Sequence, residues 1–316
     1  MATSAPFTVE LLTADYHDDC SELLPTVVCI RKDALIVPFL SNNILEFLGD
    51  DLAVDKLNDI HQHLWMAGRP RPPRHLRQQA TLSRSINLCE EMGLHLVWKA
   101  NFIYIKPMPK YLLAVSFWNK YLLSKPFDDL RTSIERAKLA ACARGFLLSY
   151  CYLVRYESDF HLAKDAGLLP DEIGWKQWRT WALQVVQGCP HDSINERFRH
   201  GELRLSRLNM IYRWHKGFLL HGYTIVGAPS SYSEFLKEKF YTLFIGLGFF
   251  VVILTAMQVG LATDRLHESL SFQAVSWGFT VVTIVASSVA LVAIVGVFLV
   301  AFAINLVRTK HMEGGG

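Results

Sequence analysis

The apolar residues of this chain fall into two regimes: mixed patterns over the first 236 positions, then two long uncharged runs. Residues 240–263 form a run of 24 without a formal charge, and residues 269–307 a run of 39, with the charged patch "DRLHE" between them. A helix rises ~1.5 Å per residue and needs about 20 apolar residues to cross a hydrocarbon core, so each run predicts a membrane span. The first span is placed at 240–262. The second run is too long for one span, so its membrane part is placed at 279–304, with "SLSFQAVSWG" at the interface, where Trp277 suits the aromatic belt.

The flanks predict orientation. Lys237 and Lys239 precede the first span, Arg308 and Lys310 follow the second, and the patch between carries two acids and one arginine. Positive flanks stay cytosolic, so the expectation is an integral, two-pass protein with both termini in the cytosol and a short tail at 308–316. The start "MATSAPFTVELL" has neither the basic residues nor the apolar run of a signal peptide.

Upstream, residues 1–50 are expected to be partly irregular, with a strand at "ALIVPFL" (Ala34 to Leu40), and 51–236 to form a cytosolic helical domain. In "DDLAVDKLNDIHQHLWMAG" a helical period puts Ala53, Leu57, Ile60 and Leu64 on one face. Asp50 or Asp51 is the expected N-cap and Gly68 the left-handed stop. "LHLVWKANFIYIKPMP" predicts a β-hairpin near 94–106, turning at Ala100-Asn101 and ended by Pro107 and Pro109. A long helix is expected over 128–164. Its middle is apolar all round except Arg144, which predicts a core helix rather than a third span. Trp175, Trp178 and Trp181, stepped by three, predict a helix packed into the core, the alternative being a stripe that dips into a membrane interface. The fold class is therefore mainly α with a small β-hairpin (α+β), followed by a C-terminal transmembrane helical hairpin.

Charge adds one local feature. The net +3 is too small to suggest a nucleic-acid partner. No acid occurs between Asp59 and Glu90, whereas Arg69, Arg71, Arg74, Arg77 and Arg84 add five positive charges. Pro70, Pro72 and Pro73 hold that backbone extended and splay the arginines. Arg69, Arg71, Arg74 and Arg77 are thus candidate contacts for a phosphate, an anionic lipid or an acidic protein partner, or else surface arginines paired with acids elsewhere. The basic stretch "NERFRHGELRLSRLNMIYRWHKG" could likewise attract anionic lipid, or pack its leucines inward while its arginines pair with Glu196 and Glu202.

Metal and catalytic chemistry find little support. On a helix, His61 and His63 project about 200° apart and cannot grip one ion; His61 is expected beside the apolar face and His63 in solvent. "HESLS" lacks the second histidine of H-E-x-x-H. There is no G-x-S-x-G, phosphate loop or C-x-x-C, so no cofactor is expected. Cys20, Cys29, Cys89, Cys142, Cys151 and Cys189 are expected to be free thiols. Neither span carries a charge, which argues against a proton relay. Ala256-x-x-x-Gly260 and Ala286-x-x-x-Ala290 offer small faces for transmembrane packing or homo-oligomerisation.

The ordered motifs "HQHLWMAGRPRPPRHLRQQ", "LHLVWKANFIYIKPMPKYLL", "ARGFLLSY", "GELRLSRLN" and "LTAMQVGLAT" resemble a family of uncharacterised fungal membrane proteins, over residues 55–308. That resemblance implies a domain of unknown function followed by two C-terminal spans, and no functional residue. Some members of that family carry the label subtilisin-like serine protease. The glycine-flanked Asp, His and Ser motifs of such a triad are absent here.

The expected function is a membrane-anchored cytosolic binding or scaffold module. The alternative is a subunit of an oligomeric two-span channel or transporter. The layout looks like that of CorA-type magnesium channels, but "MQVGLATDRLHE" stands where their Gly-Met-Asn signature belongs.

Overall fold

The computed structural model describes residues 4–12, 23–25, 27–30, 35–38, 44–123, 130–216 and 232–313. Cys20 and the last three residues of the expected tail lie outside them, as does the start of the helix expected from 128. The chain divides into two compact units, Met1–Thr224 and Ile225–Gly316.

In the first unit, β1 (Val27–Ile30) and β2 (Leu35–Pro38) pair antiparallel, with Val28 opposite Val37. The helix expected across 51–67 is instead four pieces: α1 (Ile44–Leu52), α2 (Asp55–Asn58), a 3-10 turn (His61–His63) and α3 (Leu64–Ala67). Val54 (φ −124°, ψ 38°) and Ile60 (φ −113°, ψ 15°) leave helical geometry and reset the phase. Leu52, Val54, Leu57, Ile60 and Leu64 are consequently all buried, a wider set than one straight helical stripe turns inward.

After α4 (Leu76–Thr81) comes a mixed sheet of four strands in the order β3-β5-β4-β6. The expected hairpin is its centre: β4 (Val97–Lys99) and β5 (Phe102–Ile105) pair antiparallel. Ala100 takes φ 49°, the left-handed value that a two-residue hairpin turn requires at its first position. Both outer strands are parallel to their neighbours. β3 (Ser85–Leu88) sets Ile86 opposite Ile103, and β6 (Leu203–Arg204) sets Arg204 opposite Trp98.

α5 (Val115–Phe117) runs into a π turn (Trp118–Leu122). α6 (Leu130–Leu153) passes through the core, with Ala143, Phe146, Leu147 and Tyr150 fully buried. It does not continue to Lys164: α7 (Glu157–Asp165) leaves it at 114°. The cause is local. The Asp159 carboxylate accepts from the backbone N–H groups of Arg155 (3.3 Å) and Tyr156 (3.1 Å), satisfying donors that a continuous helix would have used internally. α8 (Trp175–Gly188) buries Trp178 and Trp181, with their rings 4.9 Å apart, while Trp175 packs half-buried on Phe160. α9 (Leu205–Lys216) turns Leu205, Leu208 and Ile211 inward.

The second unit contains α10 (Tyr232–Leu261), α11 (Asp264–His267) and α12 (Leu270–Glu313). The Phe250 and Phe279 rings lie 6.0 Å apart, and a Cβ on Gly260 would stand 2.8 Å from the Phe272 ring. Among the described residues, one stretch, Leu270–Val289, is long and apolar enough to cross a membrane, while the apolar piece Gly248–Leu261 is shorter. α12 runs unbroken through Trp277, so all of "SLSFQAVSWG" after Ser269 is part of the helix. Its 44 residues measure about 66 Å, roughly twice a hydrocarbon core.

Candidate functional site

The arginine–proline segment is held against the sheet by two glycines. Gly68 ends α3 in extended backbone (φ −159°, ψ 157°), not in the left-handed cap expected from the sequence. Its lack of a side chain serves a close approach, since a Cβ there would lie 2.2 Å from the Glu202 carbonyl oxygen. Gly201 answers from the stretch leading into β6. A Cβ on it would meet Pro73 N at 2.4 Å and Arg71 O at 2.5 Å, and its N–H donates to Arg71 O at 2.9 Å.

Glu202, brought in by this approach, organises the base of the site. Its carboxylate accepts from the Arg74 backbone N–H (3.1 Å), Gln79 Nε2 (2.8 Å) and the Arg84 guanidinium (2.8 Å), with Arg74 Nε at 3.5 Å. Burial pushes the Glu202 carboxyl up, but the Arg74 N–H and the Arg84 and Gln79 side chains more than offset it, and the group is held below the usual range.

A second buried acid anchors the far end of the segment. Asp159 is fully buried and accepts from His75 Nδ1 (3.0 Å) and the Arg77 N–H (2.8 Å), in addition to the two donors that lead into α7. One carboxylate thereby fastens the first turns of α4 and α7 together. Arg155 adds a hydrogen bond to Pro73 O at 3.4 Å.

Above Glu202 opens a cleft of about 290 Å³. Arg69, Arg71 and Arg74 of the arginine–proline segment line it together with Arg204 of β6 and Arg207 of α9. Trp98 completes the wall, with Arg84 4.1 Å and Arg204 5.2 Å from its ring centre. Arg207 is steadied by donating to Met66 O at 3.0 Å. Arg77 is exposed and does not line the cleft. Three of the four candidate arginines therefore converge, and Arg204, Arg207 and Trp98 join them unforeseen. The signal for Arg204 and Arg207 is the basic stretch from Asn195, whose link to the first segment depends on the two-residue strand β6.

The other candidates resolve differently. His61 is exposed and bonds Asn58 O at 2.7 Å, while His63 is half-buried with its ring 5.5 Å from that of His215. These placements reverse the expected ones, because the 3-10 turn changes the phase at this point. Among the described residues no three His, Cys, Asp or Glu side chains are grouped as metal ligands. Cys89, Cys142, Cys151 and Cys189 are free thiols, and burial pushes Cys142 and Cys189 up to about 12. Gly260 is buried, Ala256 and Ala286 are exposed, and the Ala290 side chain lies outside the described residues.

Two buried polar clusters brace the core. His95 Nδ1 accepts the Lys106 N–H (3.2 Å), so Nε2 carries the proton and donates to Ser149 Oγ (2.8 Å), which donates in turn to Phe146 O. Burial, with Arg197 and Lys106 nearby, holds this imidazole neutral, well below its usual range. Lys106 Nζ reaches Asp51 (2.9 Å) and the Glu90 carbonyl (2.6 Å), and the Tyr111 hydroxyl also donates to Asp51.

The structure thus defines a mostly helical domain with a small mixed sheet and a basic cleft, followed in the chain by long apolar helices. The chain belongs to DUF6601, a family of unknown function whose model matches residues 44–287. No curated protein and no solved structure matches it.

Proposed function

We propose that this protein is a membrane-anchored binding module: a cytosolic domain that captures an anionic ligand in the arginine cleft, carried by two C-terminal helices that cross the bilayer with both termini in the cytosol. The observation that carries the binding half is the cleft itself, where five arginines face one acid that is already engaged by Arg84. Like charges held this close repel one another, and an anion offsets that repulsion. The membrane half is supported by the two uncharged runs, by the apolar helix Leu270–Val289, and by the basic flanks Lys237, Lys239, Arg308 and Lys310.

The full chain, reconstituted in phosphatidylcholine nanodiscs, is titrated with pyrophosphate, succinate and a hexaglutamate peptide. The expected result is saturable binding of at least one, weakened by salt and by Arg69→Gln/Arg71→Gln. Binding of none of the three overturns the module reading. Anchoring is tested by alkaline carbonate extraction from cell membranes and by thiol labelling of Ser269→Cys. Full extraction, or labelling from the cytosolic side, overturns the two-pass topology. A ring-shaped oligomer with ion flux in liposomes would replace the anchor with the channel alternative.

A further inference from the structure

We infer that the arginine cleft is a phosphate site, taking a phosphomonoester or diphosphate group in preference to a carboxylate; the assignment rests on the anion-binding reading of the same cleft. Charge balance is the first reason. Glu202 is engaged by Arg84 at 2.8 Å and Arg74 at 3.5 Å. Among the described residues no carboxylate comes within ion-pair distance of Arg69, Arg71, Arg204 or Arg207, so four cationic groups remain to be neutralised around one small space. A carboxylate brings a single charge and two oxygens. A phosphomonoester brings about −1.5 to −2 at neutral pH and three terminal oxygens, and a diphosphate brings more.

Geometry is the second reason. The planar guanidinium fork pairs bidentately with phosphate oxygens, and several forks from different directions suit a tetrahedral group better than a planar one. Two of the four are placed in advance: Arg204 against the Trp98 ring at 5.2 Å, and Arg207 on the Met66 carbonyl at 3.0 Å. Side chains already ordered lose less entropy on binding. Arg69 and Arg71 alternate with Pro70 and Pro72, whose rings restrict the backbone on that wall. A volume of about 290 Å³ matches the small end of ligand pockets, and so suits a phosphorylated headgroup or sugar rather than a helix ~10 Å across.

The same phosphate could arrive on a soluble ester or on a phospholipid headgroup, and one competition distinguishes them. The full chain is placed in nanodiscs of pure phosphatidylcholine, or of phosphatidylcholine doped with a phosphatidylinositol phosphate, and titrated with pyrophosphate and with succinate. The expected result in pure phosphatidylcholine is binding of pyrophosphate at least about tenfold tighter than succinate. Arg204→Gln/Arg207→Gln should weaken pyrophosphate by roughly a hundredfold, since each charge-assisted hydrogen bond lost is about tenfold. Apparent affinity for pyrophosphate that falls in the doped discs assigns the phosphate to the lipid, and unchanged affinity assigns it to a soluble ester. Equal affinity for succinate and pyrophosphate, or tighter binding of hexaglutamate than pyrophosphate, overturns the phosphate assignment while leaving anion binding intact. Silence from every anion overturns both. Arg77→Gln, outside the cleft, serves as the charge control and should bind as wild type; a loss equal to that of the double variant would also overturn the site.

Discussion

The Glu202 carboxylate accepts from the Arg84 guanidinium at 2.8 Å, although the two residues lie 118 positions apart. Both side chains are nearly buried, at 9% and 8% exposure, so the pair sits where water screens it little. Removing one partner strands the other. Glu202→Ala should therefore cost about 3 kcal/mol or more of stability, read as a lower unfolding midpoint, and Glu202→Gln about 1–2 kcal/mol because an acceptor remains.

The same carboxylate predicts a pH signature. Its folded-state value lies below that of the unfolded chain. A depressed carboxyl contributes stability that is complete above the unfolded value and is lost as pH falls through the folded one. The wild-type unfolding midpoint should fall more steeply below about pH 4.5 than that of Glu202→Gln. Parallel curves would show that Glu202 binds its proton equally in both states.

That pair also marks where sequence reading stopped. The β4–β5 hairpin is legible because β-branched and aromatic residues flank a two-residue turn, and the core role of α6 because its apolar run is interrupted by Arg144. The density of Arg69, Arg71 and Arg74 showed as charge without acid. What joined them to Arg204, Arg207 and Trp98 did not show, because the contact runs through β6, two residues with no period to detect. Asp159 was equally silent: its partners His75 and Arg77 lie 84 and 82 positions away, and nothing local marks a surface-type residue as fully buried. A glycine at the end of a helix suggests a left-handed cap, whereas Gly68 is extended and serves through its missing side chain.

His95 gives a prediction of similar form near neutrality. Burial holds the ring neutral in the folded state, with the positive charges of Arg197 and Lys106 adding to the effect, while the unfolded chain takes up a proton near pH 6.5. Stability is thus complete above that value and declines as pH falls, by about 1.4 kcal/mol per pH unit for each such proton. His200, lowered chiefly by burial and by Arg197, adds in the same direction. His95→Gln should flatten the slope of unfolding free energy between pH 6 and 5 by about one proton, whatever its effect on the midpoint at pH 8.

Asp159 is predicted to couple stability to the cleft. It accepts four donors, from His75, Arg77, Arg155 and Tyr156. Asp159→Ala leaves two helix starts without their acceptor and should cost roughly 2–4 kcal/mol, measured by denaturant unfolding. Because the segment 73–77 is fastened here, pyrophosphate binding should weaken as well. A variant that unfolds early yet binds pyrophosphate as wild type, at a temperature where it remains folded, would separate the anchor from the cleft.

The glycines of the cleft supply a paired comparison. A Cβ at Gly68 would stand 2.2 Å from the Glu202 carbonyl oxygen, and one at Gly201 would meet Pro73 and Arg71 backbone atoms at 2.4 and 2.5 Å. These neighbours are main chain and cannot swing aside, so Gly68→Ala and Gly201→Ala must part the segment from the stretch that carries Glu202 and Arg204. Each should lower stability by roughly 1–3 kcal/mol, as overpacking commonly does. Gly49, inside α1, has nothing within 4 Å of a built Cβ, so Gly49→Ala should raise stability by up to about 1 kcal/mol through helix propensity alone. Thermal midpoints of the three variants test the difference in sign. Pyrophosphate titration then tests its consequence: the first two should lose affinity because the arginines of the two segments no longer line one space, whereas Gly49→Ala should bind as wild type.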